Sequence, residues 1–220
     1  MQELMRKGLP RSIQVLFALS ALLLLLPLLV LAALAVKLTS RGSFLFCQRR
    51  MGRHGREFTL YKLRTMYSAN DGPLVTASSD CRVTTVGRFL RKTKIDEMPQ
   101  FWNVVIGDMD LVGPRPEVPG LVDFNDPLWN RILGVRPGLS DPITLSLRNE
   151  EALLGKYESY PSFYKDVLQP FKMKGYIRCL EQRSWRNDVR IIVQTAQFIL
   201  IPGAELPMRG NEDLQLAFPD

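Results

Sequence analysis

Between Val15 and Val36 the chain reads VLFALSALLLLLPLLVLAALAV, without a charged residue. About 20 consecutive apolar residues are enough to cross the hydrocarbon core of a bilayer as a helix, so one long apolar helix constrains every fold open to this chain. Three arrangements compete for it. A cleaved secretory signal fits Lys7 and Arg11 ahead of the run and the Ala33-Leu34-Ala35 triplet within it, but such signals have apolar cores of roughly 7–15 residues. A simple spanning helix meets Arg6, Lys7 and Arg11 on one side and Lys37 and Arg41 on the other. The preference of basic flanks for the cytoplasm would hold both ends there. Pro27 sits near the middle of the run, where proline removes a backbone donor and clashes with the preceding turn. A re-entrant helix broken at Pro27, entering one leaflet and returning, satisfies the charges and the proline together. The carbonyls freed at the break need a donor, for which Ser20 is a candidate.

The remainder is more polar than the overall 46% apolar content implies, because so much of that content lies near the N-terminus. The 220 residues leave room for one globular domain and an appendage. Ile191 to Ile201 (IIVQTAQFILI) is too short to span and carries Gln194 and Gln197; it reads as an amphipathic helix, half-buried or at an interface. Lys and Arg outnumber Asp and Glu by 29 to 22, a formal charge of +7, which fits anionic lipid or polyphosphate partners. No recognition-helix pattern, zinc finger or RNP-type motif accompanies that charge, so no nucleic acid is expected. Cys47, Cys81 and Cys179 are odd in number and widely spaced, and read as free thiols in a reducing compartment. His54 is the only histidine. That rules out a histidine triad and a multi-histidine metal site, and leaves His54 as a surface residue of a basic loop.

Further along, Phe44 to Cys47 and Phe58 to Leu63 have strand-like residue types. Gln48 to Arg56 between them, two glycines among cations, reads as a tight turn, and Asn70-Asp71-Gly72-Pro73 as another. Thr84 to Lys94 sets Val86, Phe89 and Leu90 at helical spacing. Asp96-Glu97-Met98-Pro99-Gln100 opens a helix that Gly107 ends. Leu111 to Pro116 and Val135 to Asp141 are rigid turns presenting Arg115 and Arg136. Asn149 to Tyr157 reads as helical, Pro161 and Pro170 as breaks between short helices, and Trp185 to Leu200 as a last helix.

The sharpest chemical feature is the adjacent pair Asp96-Glu97. Carboxylates at a helix start feel its positive end and unpaired N–H groups. That favours the ionised form which a nucleophile or metal ligand needs. Arg88 and Arg91 precede the pair, Arg115 and Arg136 follow it, and guanidinium groups match phosphate oxygens bidentately. A carboxylate attacking phosphorus meets like-charge repulsion, which Mg2+ and arginines would neutralise. The competing reading is a plain helix cap with a solvated Glu97 and surface arginines. Asp108-Met109-Asp110 is a DxD sequence, which many glycosyltransferases use to hold a metal and a nucleotide diphosphate. The stretch from Arg41 to Asp108 has too few elements for a nucleotide-binding unit and no Gly-rich phosphate fingerprint, which favours an Asp-rich turn.

A series of short motifs occurs in order: Gln48-Arg49-Arg50-Met51-Gly52, Tyr61-Lys62-Leu63-Arg64-Thr65-Met66, Asp80-Cys81-Arg82-Val83-Thr84, Val86-Gly87-Arg88-Phe89-Leu90-Arg91, Asp96-Glu97-Met98-Pro99-Gln100, Trp102-Asn103-Val104, Gly107-Asp108-Met109, Val112-Gly113-Pro114-Arg115-Pro116 and Arg136-Pro137-Gly138. Together they resemble the bacterial sugar transferases, the monotopic phosphoglycosyl transferases that begin glycan assembly on undecaprenyl phosphate. The resemblance runs from the apolar segment to about Asn149, and more loosely to Leu200. It implies that Asp96 attacks a UDP-sugar, releases UMP and holds the phospho-sugar covalently until undecaprenyl phosphate takes it. It implies that Glu97, with Asp96, binds Mg2+, and that Arg91 and Arg115 contact phosphate; Arg64, Arg88 and Arg136 are further candidates for the substrate phosphates. Pro27 would break the re-entrant helix. Three positions depart from the family pattern: Leu26 stands where serine is frequent, Asp110 likewise, and Asp141-Pro142 replaces a common glycine.

The expected fold is mixed α/β, helix-rich with short strands. Residues 1–40 form the re-entrant membrane helix, 41–203 a compact catalytic domain and 204–220 a C-terminal tail. The expected location is the cytoplasmic face of a bacterial inner membrane, with inner-membrane lipid as a partner and a homodimer and downstream glycosyltransferases as further ones. The alternatives are a metal-dependent DxD glycosyltransferase and a non-catalytic membrane adaptor.

Overall fold

The computed structural model describes residues 8–67, 80–147, 150–157 and 160–201. The turn expected at Asn70-Asp71-Gly72-Pro73, Asn149 and the tail 204–220 lie outside the described residues.

The apolar run forms one helix, α1 (Arg11–Thr39), of 29 residues, roughly 43 Å if straight at 1.5 Å per residue. Pro27 lies inside it, which corrects the expectation of two helices parted at that residue. A proline withdraws one N–H from the ladder, and the intact turns on either side carry the helix through. One face of α1 is buried at Gln14, Ala18, Ala32 and Val36, whereas Leu23 and Leu24 elsewhere on it are 73% and 81% exposed. The buried stripe is poor in large side chains, which lets the helix approach the domain closely.

Both ends of α1 are fastened to that same domain. Before its first turn the Leu9 N–H donates to Asp188 (2.9 Å), and Gln14 accepts from the Leu111 N–H (2.8 Å). Arg11 donates to the carbonyls of Met109 (2.8 Å) and Val104. At the far end the buried Arg64 guanidinium donates to the carbonyls of Arg41 (2.6 Å) and Ser40 (2.8 Å). Ala32 and Val36 pack there with Leu63 and Leu90.

β1 (Leu45–Met51) and β2 (Glu57–Leu63) pair antiparallel from Leu45↔Leu63 to Met51↔Glu57. The first strand thus continues through Gln48-Arg49-Arg50, which the sequence reading had assigned to the turn. The turn itself is Arg53–Gly55, with His54 exposed at φ 59°. α2 (Thr85–Lys92) is capped by the Thr84 hydroxyl, which accepts from the Gly87 N–H (2.8 Å). Gly87 is required there, since a Cβ would come within 2.0 Å of the Thr65 carbonyl oxygen. α3 (Gln100–Ile106) ends at Gly107, whose φ of 100° is the left-handed cap glycine accepts most easily.

β3 (Asp110–Val112) leads to α4 (Pro127–Ile132) and then to β4 (Gly138–Ser140), which pairs parallel with β3. α5 (Pro142–Ser146) is capped by Asp141, whose carboxylate accepts from the Ile143 and Thr144 N–H groups (2.8 and 2.9 Å). The departure from the family pattern at Asp141-Pro142 is therefore a helix start. α6 (Glu150–Leu154) follows. From α7 (Tyr160–Phe163) the chain passes through a π turn, Tyr164–Leu168, into α8 (Gln169–Glu181). Pro161 stands in the first turn of α7, beyond the end of α6, as expected of a break between short helices; Pro170 does not break the run, and stands at the second residue of α8 where the π turn gives way to α-helix. α9 (Trp185–Leu200) closes the described chain.

The fold is mixed α/β and helix-rich, with strands of seven and three residues. Its central core joins Ala18 of α1 to Phe58, Leu60, Val104, Met109, Leu111 and Val112, with Ile191 and Ile192 of α9 against it.

Candidate active site

Asp96 and Glu97 occupy a one-turn 3-10 segment, Ile95–Glu97, introduced by Lys94 at φ 58°. A non-glycine residue in that left-handed conformation costs about 1–2 kcal/mol, a strain characteristic of functional sites. Pro99, not Asp96, stands at the N-cap of α3. Contrary to expectation, the electrostatics of the pair therefore come from burial and from neighbouring side chains, not from the α3 dipole.

Glu97 is locked by two cations. Arg115 donates to both its oxygens, at 2.5 and 3.3 Å, and the Lys62 ammonium donates to one at 3.1 Å. Burial would raise its pKa, but Arg115, Lys62 and Lys94 overcome that and hold the carboxyl well below the usual range. The reciprocal attraction raises the Arg115 pKa. Asp96 behaves oppositely. It is 5% exposed, and burial, reinforced by the Glu97 charge, pushes its carboxyl up against the pull of Lys62, Lys94 and Arg91. Its Oδ1 is buried without a hydrogen-bond partner among the described residues. One carboxylate of the pair is thus a fixed anion, and the other is a desolvated group with a free oxygen.

The remaining arginines separate. Arg91 donates to the Thr65 hydroxyl (2.9 Å) and to Glu151 (2.8 Å). With Thr65 following Arg64 at the end of β2, this leaves Arg91 beside the site. Arg88 is exposed on α2. Arg64 is committed to the end of α1, as described above, so it is a fastening residue and does not face the pair. Arg136 donates to the Gly107 carbonyl (2.9 Å) and approaches Asp110 (3.9 Å) on the far side of α3. Asp110 also meets Arg11 (3.4 Å) and Arg183 (3.3 Å), and Asp108 accepts from Asn103 (3.3 Å). The DxD sequence is an Asp-rich turn that ties elements together.

Lys62 was missed in the sequence, although a signal existed. Phe58, Leu60 and Lys62 alternate along β2, so a lysine follows two core residues on one face. Also missed was a buried polar chain beyond Arg115. Arg50 pairs with Glu117 (3.6 Å), Tyr164 donates to Glu117 (2.5 Å), and Lys172 donates to Tyr164 (3.3 Å) and Glu150 (3.1 Å). Its members are scattered through the sequence, and no local spacing announces them.

Among the described residues no group of three or more His, Cys, Asp and Glu side chains could hold a metal ion unaided. Mg2+ does not demand one, since it is commonly held by one or two carboxylates together with substrate phosphates and water. The unpartnered Asp96 Oδ1 beside a carboxylate with acceptor capacity to spare fits that requirement.

The site is thus a carboxylate pair on a strained turn, with Glu97 held by two cations and Ile95 beside it packed on α1. Residues 5–202 match the family profile of the bacterial sugar transferases. The chain belongs to that family. It is 47% identical over 179 residues to the UDP-glucose:undecaprenyl-phosphate glucose-1-phosphate transferase of Caulobacter vibrioides, covering 79% of this chain and 63% of that protein. It is 43% identical over 135 residues to a UDP-N-acetylgalactosamine-undecaprenyl-phosphate N-acetylgalactosaminephosphotransferase of Aeromonas hydrophila, covering 59% and 32%. A match of 52% over 101 residues to an undecaprenyl-phosphate glucose phosphotransferase of Komagataeibacter xylinus covers 44% and 19%. The chain therefore spans less than two thirds of the length of each of these three relatives.

Proposed function

We propose that the chain transfers a sugar-1-phosphate from a UDP-sugar to undecaprenyl phosphate, releasing UMP, through a covalent intermediate on Asp96. The observation that carries this reading is the asymmetry of the pair: Glu97 is neutralised by Arg115 and Lys62, whereas Asp96 keeps a buried oxygen unpartnered. In the first step an Asp96 oxygen attacks the phosphorus that bears the sugar. The bond from that phosphorus to the UMP oxygen breaks, and UMP leaves with the electron pair. In the second step an oxygen of undecaprenyl phosphate attacks the same phosphorus and the Asp96 carboxylate departs, giving the polyprenyl diphosphate sugar.

Arg115 and Lys62 hold Glu97 and add positive charge where two anions must approach. Arg91, whose charge acts on Asp96, would be available to a phosphate once released from Glu151. Mg2+, held by Asp96 and Glu97 with the substrate phosphates, would supply additional charge neutralisation on the transferring group.

The apolar substrate must come from the bilayer, and Ile95, next to Asp96, packs on the cluster that holds Ala32 and Val36 of α1. α1 is the one described helix long and apolar enough to cross a membrane. With both ends fastened to one domain and no break at Pro27, it is best read as lying along one face of the membrane, its exposed leucines in the cytoplasmic leaflet of the inner membrane and residues 41–203 on that side. The apolar face of α9, with Trp185, Val189 and Val193 exposed, would rest at the same interface.

The test is UMP release from a panel of UDP-sugars, beginning with UDP-glucose and UDP-N-acetylgalactosamine, by purified protein with Mg2+ and undecaprenyl phosphate. Release by the wild type, reduced at least about 1,000-fold in Asp96→Asn, is the expected outcome. Equal release by both would remove Asp96 from the chemistry.

A further inference from the structure

We infer that Glu151 sets the donor affinity of this site: its carboxylate occupies Arg91 as an internal stand-in for phosphate and is displaced when the UDP-sugar binds. Arg91 is held at two points. Its Nε donates to the Thr65 hydroxyl (2.9 Å), and a terminal nitrogen donates to Glu151 (2.8 Å). The two holds differ in kind. Thr65 is buried, and its carbonyl accepts from the Thr84 N–H at the start of α2 (3.0 Å), so the guanidinium stays aimed from that side. The Glu151 side chain is 50% exposed, and an ion pair open to water is weak. A carboxylate and a phosphate offer a guanidinium the same forked pair of acceptor oxygens. The hold that water can reach is therefore the one that a phosphate can take over.

The position matters because Arg91 adjoins the reactive pair, where its charge favours the ionised form of the Asp96 carboxyl. Nor does the exchange require the fold to open. Glu150, the preceding residue, is pinned by the buried Lys172 (3.1 and 3.2 Å). Leu154, at the other end of α6, is fully buried with Leu147, Tyr164 and Leu168. α6 is thus anchored through Glu150 and Leu154, while Glu151 reaches out to an arginine 60 residues away in the chain. Only the Glu151 side chain has to turn into water. The diphosphate of a donor carries more negative charge than one carboxylate, so it wins the exchange. It binds less tightly than a free Arg91 would allow, because the existing pair must first be broken. In the empty site Glu151 keeps the guanidinium oriented and neutralised.

The inference rests on the donor site proposed above. Equilibrium binding of UDP with Mg2+ to the full chain in detergent tests it, comparing the wild type, Glu151→Gln, Arg91→Met and the double variant. Glu151→Gln is expected to tighten UDP about two- to fivefold, and to lower the donor KM in UMP release by a similar factor. In the Arg91→Met background the same change should move UDP affinity by less than about 1.5-fold, since the pair is already gone. Glu151→Ala repeats the measurement if the glutamine variant misfolds. Unchanged or weaker UDP binding by Glu151→Gln would overturn the inference. A tightening that persists without Arg91 would overturn it too, as a general effect of removing one negative charge. A wild type that binds no UDP removes the donor site and the stand-in together. A wild type that binds UDP and tightens as expected in Glu151→Gln, yet releases no UMP from any UDP-sugar, removes the covalent reaction alone.

Discussion

Two acidic sites flank α3 and look alike in sequence: Asp96-Glu97 before it and Asp108-Met109-Asp110 after it, each with arginines nearby. Their surroundings differ. Asp110 has both oxygens engaged, one facing Arg11 and Arg136 and the other Arg183, and Arg183 in turn meets Asp188 at 3.6 Å. This cluster joins the start of α1 to β3 and to α9. At the first site the cations converge on Glu97 and leave an oxygen of Asp96 unmatched. A buried carboxylate whose lone pairs are all answered is a fastener; one left partly unanswered can engage a substrate or a metal. The comparison thus favours the proposed covalent transferase over the DxD glycosyltransferase, because Asp110, the more buried of the DxD acids, is committed to holding the fold.

That contrast can be broken at several points. The largest effect on stability is expected from Asp110→Ala, which removes the carboxylate that Arg11 and Arg183 share and leaves the buried Arg183 with Asp188 and the Val112 carbonyl alone. A loss of about 3–5 kcal/mol, measured by denaturant unfolding in detergent, is predicted, and an unchanged stability would remove the fastening role. Next comes Arg115→Met, which strips Glu97 of its two-point partner. UMP release should fall by about 100-fold, with Arg115→Lys recovering part of it as a point charge.

A smaller effect concerns the opposite pKa shifts in the pair. The Asp96 carboxyl titrates above its unfolded value of about 3.9, so its charge penalises the folded state at neutral pH and is relieved as the pH falls through the raised value. Asp96→Asn should therefore raise the thermal midpoint at pH 7 in metal-free buffer, and the gain should shrink towards about pH 4. The Glu97 carboxyl titrates below its unfolded value of about 4.3, so its contribution is present above that value and is lost as the pH falls through the depressed one. Glu97→Gln should lower the midpoint at pH 7, and a gain there would contradict the assignment of the fixed anion. The smallest effect is reserved for Asp108→Ala, which removes one 3.3 Å contact with Asn103. Activity within about threefold of wild type is expected from such a peripheral change, whereas its abolition would favour the DxD chemistry.

What the sequence disclosed followed from local signals. The apolar run, the helix expected from Thr84 and the Gly107 stop are short-range features, and each lies where its residues pointed. Pro27 was overread, because proline weakens a helix without ending one that packs along a domain. The arginines were judged by nearness in sequence, yet Arg64 and Arg136 turn to backbone carbonyls while Lys62 and Arg115, on separate elements, converge on Glu97. Strand pairing and chain crossing decide such convergence, and neither is written in the spacing around the pair. The electrostatic asymmetry of Asp96 and Glu97 is likewise tertiary, since the two residues are neighbours in the chain and differ in the company that the fold brings them.

The most direct test is intact mass measurement of the protein after incubation with the active UDP-sugar and Mg2+ in the absence of undecaprenyl phosphate. The account predicts an adduct with the mass of one phospho-sugar, located on the peptide carrying Asp96 and discharged when undecaprenyl phosphate is added. UMP release that requires the acceptor from the start, with no adduct at any time, would contradict it.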